Sequence, residues 1–277
     1  MESIAQPEKT KNVLEKENEL RNMMHRFGCV LVAYSGGVDS SYLALIAHQE
    51  LGDNALAVLG VSPSVSKFQI EQARTVAKKH GIRMTEILTF EIELPEYVAN
   101  NPDRCFFCKS ELYRQISTYS ERFEDAIIFD GTNFDDADDY RPGREAAKEL
   151  GVRSPLEELR FSKEDIRERS LALGLEGWNK PASPCLASRI PHSVPVTIER
   201  LSNIERAEAF LREIGFVEFR VRAHDSLARI EISKKEMVNV FRQDVMENIN
   251  QRLNAIGFEY ITLDLEGFRS GSLNPRK

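Results

Sequence analysis

Little in this sequence points to a membrane. No stretch approaches the about 18 consecutive apolar residues that a crossing helix needs, and Met1 to Lys16 is polar and mixed in charge rather than a basic segment followed by an apolar one. The expectation is a soluble, cytoplasmic protein. A surplus of positive charge is missing too. The 277 residues carry a formal net charge of -7, which argues against broad nucleic-acid binding and fits a small anionic ligand in a focused pocket. Cysteine is scarce: four in a chain this long make no disulfide framework, so their spacing is read first for metal or catalysis. Internal repeats and low-complexity tracts are absent, and the length suits one large domain or two ordinary ones, of which two are expected. One further absence is local. In Ser35-Gly36-Gly37-Val38-Asp39-Ser40-Ser41 no lysine follows the second glycine. The side chain that reaches the outer phosphates in a P-loop NTPase is therefore missing, and transfer of a γ-phosphate is disfavoured.

What surrounds those seven residues gives them meaning. Cys29 to Tyr34 is an apolar, β-branched run that reads as a buried parallel strand, and Leu43, Ile46, Ala47 and Leu51 recur afterwards at helical spacing. Strand, glycine turn and helix together place backbone amides around one small space that suits phosphate. The alternative is an ordinary strand-to-helix turn with glycines for packing. Ser-Gly-Gly-x-Asp-Ser in this setting resembles the PP-loop of ATP pyrophosphatases, which grip pyrophosphate and activate a substrate by transferring AMP to it. That resemblance puts Ser35, Gly36, Gly37, Ser40 and Ser41 at the nucleotide and Asp39 near magnesium, a hard cation that takes oxygen ligands.

The remaining pattern predicts a helix over 8–27, a strand over Ala55–Val61, a helix over Ser66–His80, a strand over Ile82–Phe90, a helix over Glu111–Phe123 and a strand over Ala126–Asp130. Alternating strands and helices imply βαβ units, and ligands in such sheets bind beyond the carboxyl ends of the strands. Ser35 to Ser40, Ser62 to Ser66 and Gly131 to Asp139 all fall there. A helix over Glu164–Leu173 precedes an irregular, proline-rich stretch from Trp178 to Pro195, which marks a functional loop and a domain boundary. Beyond it come a helix over Thr197–Ile214, strands over Val217–Val221 and Leu227–Ile232, a helix over Lys234–Ile256 and a strand over Tyr260–Leu265. The predicted architecture is an α/β, adenine-nucleotide α-hydrolase-like (PP-loop) doubly wound parallel sheet over 1–190, with a smaller C-terminal α+β domain over 191–277.

Cys105-Phe106-Phe107-Cys108 is a Cys-x-x-Cys pair, and Cys185 adds a third thiol in the proline-rich loop. Zinc, a redox dithiol, an iron–sulfur cluster or simple packing could each account for the pair. Cys29, in a buried strand, reads as core. Three thiolates match closed zinc poorly. They suit a cluster with one iron left open to an external ligand such as hydrosulfide.

The PP-loop, Asp103-Arg104-Cys105-Phe106-Phe107-Cys108-Lys109, Gly131-Thr132-Asn133 with Asp138 to Gly143, Lys180 to Pro191, and Phe219 to Glu231 together resemble the LarE family over nearly the whole chain. These are ATP-dependent sulfur transferases of nickel-pincer nucleotide biosynthesis. The resemblance implies adenylation of the carboxylates of pyridinium-3,5-biscarboxylic acid mononucleotide by ATP, then replacement of AMP by sulfur from sulfide or another sulfur donor. It also implies a homo-oligomer, while the acidic balance and the lack of long apolar runs lead to the expectation of neither nucleic acid nor membrane as a partner. One branch of the family sacrifices a single cysteine, at the position of Cys185, leaving dehydroalanine. Cys105 and Cys108 make this chain resemble the other branch, in which three cysteines hold a 4Fe–4S cluster that carries the transferred sulfide. Gly131 and Asn133 are then expected at the nucleotide. Lys109, Lys180 and Arg189 could neutralise charge on pyrophosphate or the acyl adenylate, or lie solvated. Arg220 and Arg222 share a strand face and form a fork that, with Glu208, would take the substrate phosphate, or else a salt-bridged surface. Two other readings are a PP-loop tRNA thiolase and a nucleotide-binding regulator without catalysis.

Overall fold

The computed structural model describes residues 12–136, 142–179 and 184–269. Its first part runs α1 (Val13–Phe27), β1 (Val30–Tyr34), α2 (Val38–Leu51), β2 (Ala55–Val61), α3 (Lys67–Lys79), β3 (Met84–Leu88), α4 (Pro95–Val98), α5 (Arg104–Ser120), β4 (Ile127–Phe129), α6 (Pro142–Glu149), α7 (Pro155–Glu158) and α8 (Lys163–Ala172). All four strands are parallel, in the order β3-β2-β1-β4. Successive side chains on β1 point to opposite faces. Val30, Val32 and Tyr34 enter a core with residues of α1, α2 and α3, whereas Leu31 and Ala33 meet Tyr113 and Ile116 of α5 and Ala146 and Ala147 of α6. Helices therefore cover both faces, which is why β1 can be apolar at every position. Each such aliphatic side chain contributes about 1.5–3 kcal/mol by leaving water. Reciprocal capping by Asn12 and Glu15, Ser66 and Gln69, and Ser162 and Asp165 starts α1, α3 and α8.

A second, smaller unit contains α9 (Ile198–Glu213), β5 (Phe219–His224), β6 (Leu227–Ile232), α10 (Gln243–Ile256) and β7 (Tyr260–Leu263). β5 and β6 pair antiparallel, and β7 lies parallel to β6 on its other side. Leu201, Ile204 and Leu211 of α9 and Ile249 and Leu253 of α10 bury against Val221, Ile230 and Ile232. Leu186, Ala187 and Ile190 pack into this same core, as does Tyr97 of α4.

Two helices differ from the expectation. The helix expected over Glu111–Phe123 begins at Arg104, so Cys105 and Cys108 are helical. Cysteine and phenylalanine are weak helix formers, and here the burial of Arg104 and Ser110 against the body of the protein overrides propensity. The helix expected over Lys234–Ile256 is broken into a tight turn, Met237–Phe241, and α10. The break falls at Arg242, whose backbone is extended (ψ 131°), and before the turn the Glu236 carboxylate reaches back to accept the amides of Val217 (2.9 Å) and Glu218 (3.0 Å) and the Ser233 hydroxyl (2.8 Å). Among the described residues no helix is long and apolar enough to cross a membrane.

Candidate active site

The turn between β1 and α2 lies directly on α3. Gly36 has φ +72°, and a Cβ there would stand 2.7 Å from the Ala73 Cα, so only glycine fits. Gly37 caps α2 without offering a side-chain acceptor, which leaves first-turn amides of α2 without a side-chain partner. An anion is the natural complement. Beneath them the buried Ser40 hydroxyl accepts the Ser35 amide (3.2 Å), donates to the Gly37 carbonyl (3.2 Å) and lies 3.1 Å from the Ser35 hydroxyl. Ser41 is buried under the same turn.

The segment after β4 presses against this turn. A Cβ on Gly131 would come within 2.9 Å of the Ser40 amide nitrogen. Asn133, fully buried, donates to the Asp39 carboxylate at 3.0 Å and accepts the Asp136 amide at 3.2 Å. Burial pushes the Asp39 carboxyl up, the Asn133 hydrogen bond opposes that, and the charge of Asp136 adds to it. Two crowded carboxylates are an oxygen donor set for a hard divalent cation, although Asp136 also pairs with Lys163 at 2.9 Å.

Cys105 and Cys108 are the second and fifth residues of α5 and, three residues apart, face one side of it. Cys105 is exposed, whereas Cys108 and Cys185 are partly buried against the C-terminal core. Burial pushes the Cys108 thiol up, and nearby charge on Glu91, Cys185 and Cys105 adds to it, while Lys109 opposes it. Burial raises the Tyr97 hydroxyl as well, followed by Cys185 and Cys108. The three sulfurs thus share one electrostatic neighbourhood. Among the described residues no three His, Cys, Asp or Glu side chains close on a point where a single metal ion would sit.

Three arginines hold the turn that carries Cys185. Arg189, 3% exposed, meets Glu208 through two bonds (3.0 and 3.1 Å) and donates to the carbonyls of Pro184 (2.6 Å) and Cys185 (3.0 Å). Arg104 donates to the Ala187 carbonyl (2.9 Å) and Arg222 to that of Ser188 (3.1 Å). On the other side the Leu186 amide donates to the Ser64 carbonyl (2.8 Å), in the loop after β2, and Ser64 and Tyr97 share a hydrogen bond of 2.6 Å. Cys185 is therefore tethered at the carboxyl edge of the parallel sheet, the edge that also carries the Ser35–Ser41 turn.

These positions refine the expected roles. The guanidinium of Arg189 is committed to Glu208 and to carbonyls of its own turn, and Glu208 spends its second acceptor duty on the Val221 amide (3.2 Å) rather than on the arginine fork. Arg222 is paired with the buried Glu231 at 2.9 Å. Arg220 differs from both: it forms no ion pair among the described residues, stacks over Phe268 at 5.0 Å, and is pulled down to about 10 by burial and by the charges of Arg189 and Arg222. Lys109 lies over the Tyr113 ring at 5.5 Å, also without an ion pair among the described residues. Lys180 lies outside the described residues, as do Asp138 and Asp139. The sequence reading passed over Arg104, Tyr97, Ser64 and Glu91. Arg104 stood inside a quoted motif, and an arginine beside a cysteine was the available signal; Ser64 lay in the Ser62 to Ser66 loop already placed at the sheet edge, and for Tyr97 and Glu91 there was no signal.

Residues 12–100 match the NAD synthase family. Over 262 residues the chain is 45% identical to an uncharacterized protein of Synechocystis sp., covering 93% of this chain and 97% of the relative. Over 249 residues it is 36% identical to the pyridinium-3,5-bisthiocarboxylic acid mononucleotide synthase of Lactiplantibacillus plantarum, covering 88% of each. The chain belongs to the LarE synthase family. An uncharacterized protein of Methanocaldococcus jannaschii is a further relative, 29% identical over 87% of this chain. LarE membership makes the Ser35–Ser41 turn a PP-loop, and the chain an enzyme of the ATP-dependent sulfur transferase type.

Proposed function

We propose that this LarE protein adenylates the carboxylates of pyridinium-3,5-biscarboxylic acid mononucleotide and replaces AMP with sulfur, giving the thiocarboxylates. The observation that carries the reading is the 2.8 Å bond from Leu186 to Ser64, which ties the Cys185 turn to the sheet edge of the PP-loop. First-turn amides of α2 bind the departing pyrophosphate, and Asp39 with Asp136 is the donor set suited to Mg2+. Arg220, a half-buried cation without an ion-pair partner among the described residues, takes the phosphate of the substrate mononucleotide. Sulfur attacks the acyl carbon, the bond to the AMP oxygen breaks, and AMP leaves with the electron pair.

The thiols of Cys105, Cys108 and Cys185 are the donor set for a 4Fe–4S cluster, whose soft irons prefer thiolate. When bound, such a cluster supplies one iron without a protein ligand, from which sulfide can be delivered. The test is to purify the protein without oxygen, measure iron and sulfide, and follow the mass of the chain through several turnovers. Iron bound to the wild-type protein, with a constant mass, supports the proposal. Loss from Cys185 of the mass of hydrogen sulfide in step with product would show sacrificial transfer instead. RNA thiolation, or nucleotide binding with no pyrophosphate release, would overturn the substrate assignment.

A further inference from the structure

Arg104 is 7% exposed, and no carboxylate lies within ion-pair distance of it among the described residues. Burying an uncompensated guanidinium costs several kcal/mol, so the site must hold something that repays it. Part of the answer is neutral: one nitrogen, Nη1, donates to the Asn100 side-chain oxygen (2.5 Å) and to the Ala187 carbonyl (2.9 Å). Asn100 is fully buried at φ +55°, and its amide donates to the carbonyls of Pro191 and Val194, both at 2.8 Å. Arg104 and Asn100 thereby join α5, which carries Cys105 and Cys108, to the segment that carries Cys185. These contacts supply dipoles but no negative charge. Cys105 follows Arg104 directly in α5, and the Ala187 carbonyl that Arg104 holds lies two residues beyond Cys185.

We propose that Arg104 is the resident counter-charge of the sulfur site, joining the two cysteine-bearing segments and stabilising negative charge on sulfur before it is transferred. The proposal rests on the functional reading above, since it needs anionic sulfur at these cysteines. Thiolates and a sulfide gathered in one partly buried place repel one another, and a fixed cation that cannot lose its proton lowers that cost. The step served is the attack already described: the C–S bond forms, the C–O bond to AMP breaks, the sulfide proton passes to water, and nothing is oxidised or reduced.

Arg104→Gln keeps a donor for the Ala187 carbonyl but removes the charge, whereas Arg104→Lys keeps the charge and loses the fork. Three readouts separate the roles: pyrophosphate release with substrate and ATP, the sulfide concentration that half-saturates thiocarboxylate formation, and the reduction midpoint of the iron-loaded protein. Arg104→Gln is expected to lower sulfur transfer far more than the first-turnover release of pyrophosphate, to raise the half-saturating sulfide by about tenfold, and to make the midpoint more negative. Arg104→Lys is expected to restore most of both. Where the wild-type protein binds no iron and Cys185 gives up its sulfur, the cluster assignment fails. The first-turnover rate of thiocarboxylate formation then decides for Arg104, with the same ordering of variants expected. Unaltered sulfur transfer in Arg104→Gln overturns the proposal, as does equal loss of pyrophosphate release and sulfur transfer in both variants, which is the mark of a merely structural residue. A wild-type protein that forms no thiocarboxylate overturns the functional reading and this proposal with it.

Discussion

Arg189 and Glu208 meet through two parallel N–H···O bonds, 3.0 and 3.1 Å long, in the protein interior. Breaking a buried pair leaves one charge without its partner. Glu208→Gln is expected to lower unfolding stability by about 3 kcal/mol, and replacing both partners with apolar residues by less than the sum of the single changes. Urea unfolding of the two single variants and the double variant checks this.

Gly36→Ala places a methyl group against the Ala73 backbone and forces an L side chain to φ +72°. The expected result is a folded protein destabilised by about 1–3 kcal/mol that no longer binds ATP, as read by calorimetry and thermal melting.

The Asp39 carboxyl titrates higher in the folded protein than in the unfolded chain, because burial disfavours its charge. In that interval the native state holds more protons, so stability falls as pH rises through it. Asp39→Asn removes this penalty. The variant should melt above the wild type at pH 7, and the gain should shrink as pH falls and vanish below about pH 4, once the aspartate is neutral in both the folded and the unfolded state. Mg2+ with pyrophosphate should stabilise the wild type and not the variant.

Glu91, 2% exposed, accepts from the Ser62 hydroxyl and contributes to the elevation of Cys108, after burial itself. Glu91→Gln retains a hydrogen-bonding group and drops the charge. Alkylation of Cys108 in metal-free protein should then reach its half-maximal rate at a lower pH, as followed by peptide mass.

The parallel sheet was legible in the sequence because a strand buried on both faces is apolar at every position, as Val30 to Tyr34 is. The PP-loop was legible because Gly36 has no substitute at its φ. Chain order could not reveal that Arg189 spends its charge on Glu208, since that pairing depends on how α9 lies against the Cys185 turn. Nor could it reveal the start of α5, where packing prevails over the weak helical preference of Cys and Phe.

The Cys185 turn is seated in a core built from α9, β5 and β6, all of which follow it in the chain. The helix behind the Ser35–Ser41 turn, α2, in contrast packs with α3 and α8, which precede Cys185 in the chain. During synthesis the partners of α2 therefore emerge before Cys185, and the α9, β5 and β6 partners of the Cys185 turn emerge after it. A chain that stopped before β6, the strand bearing Glu231, would lack part of the core in which Leu186, Ala187 and Ile190 are seated.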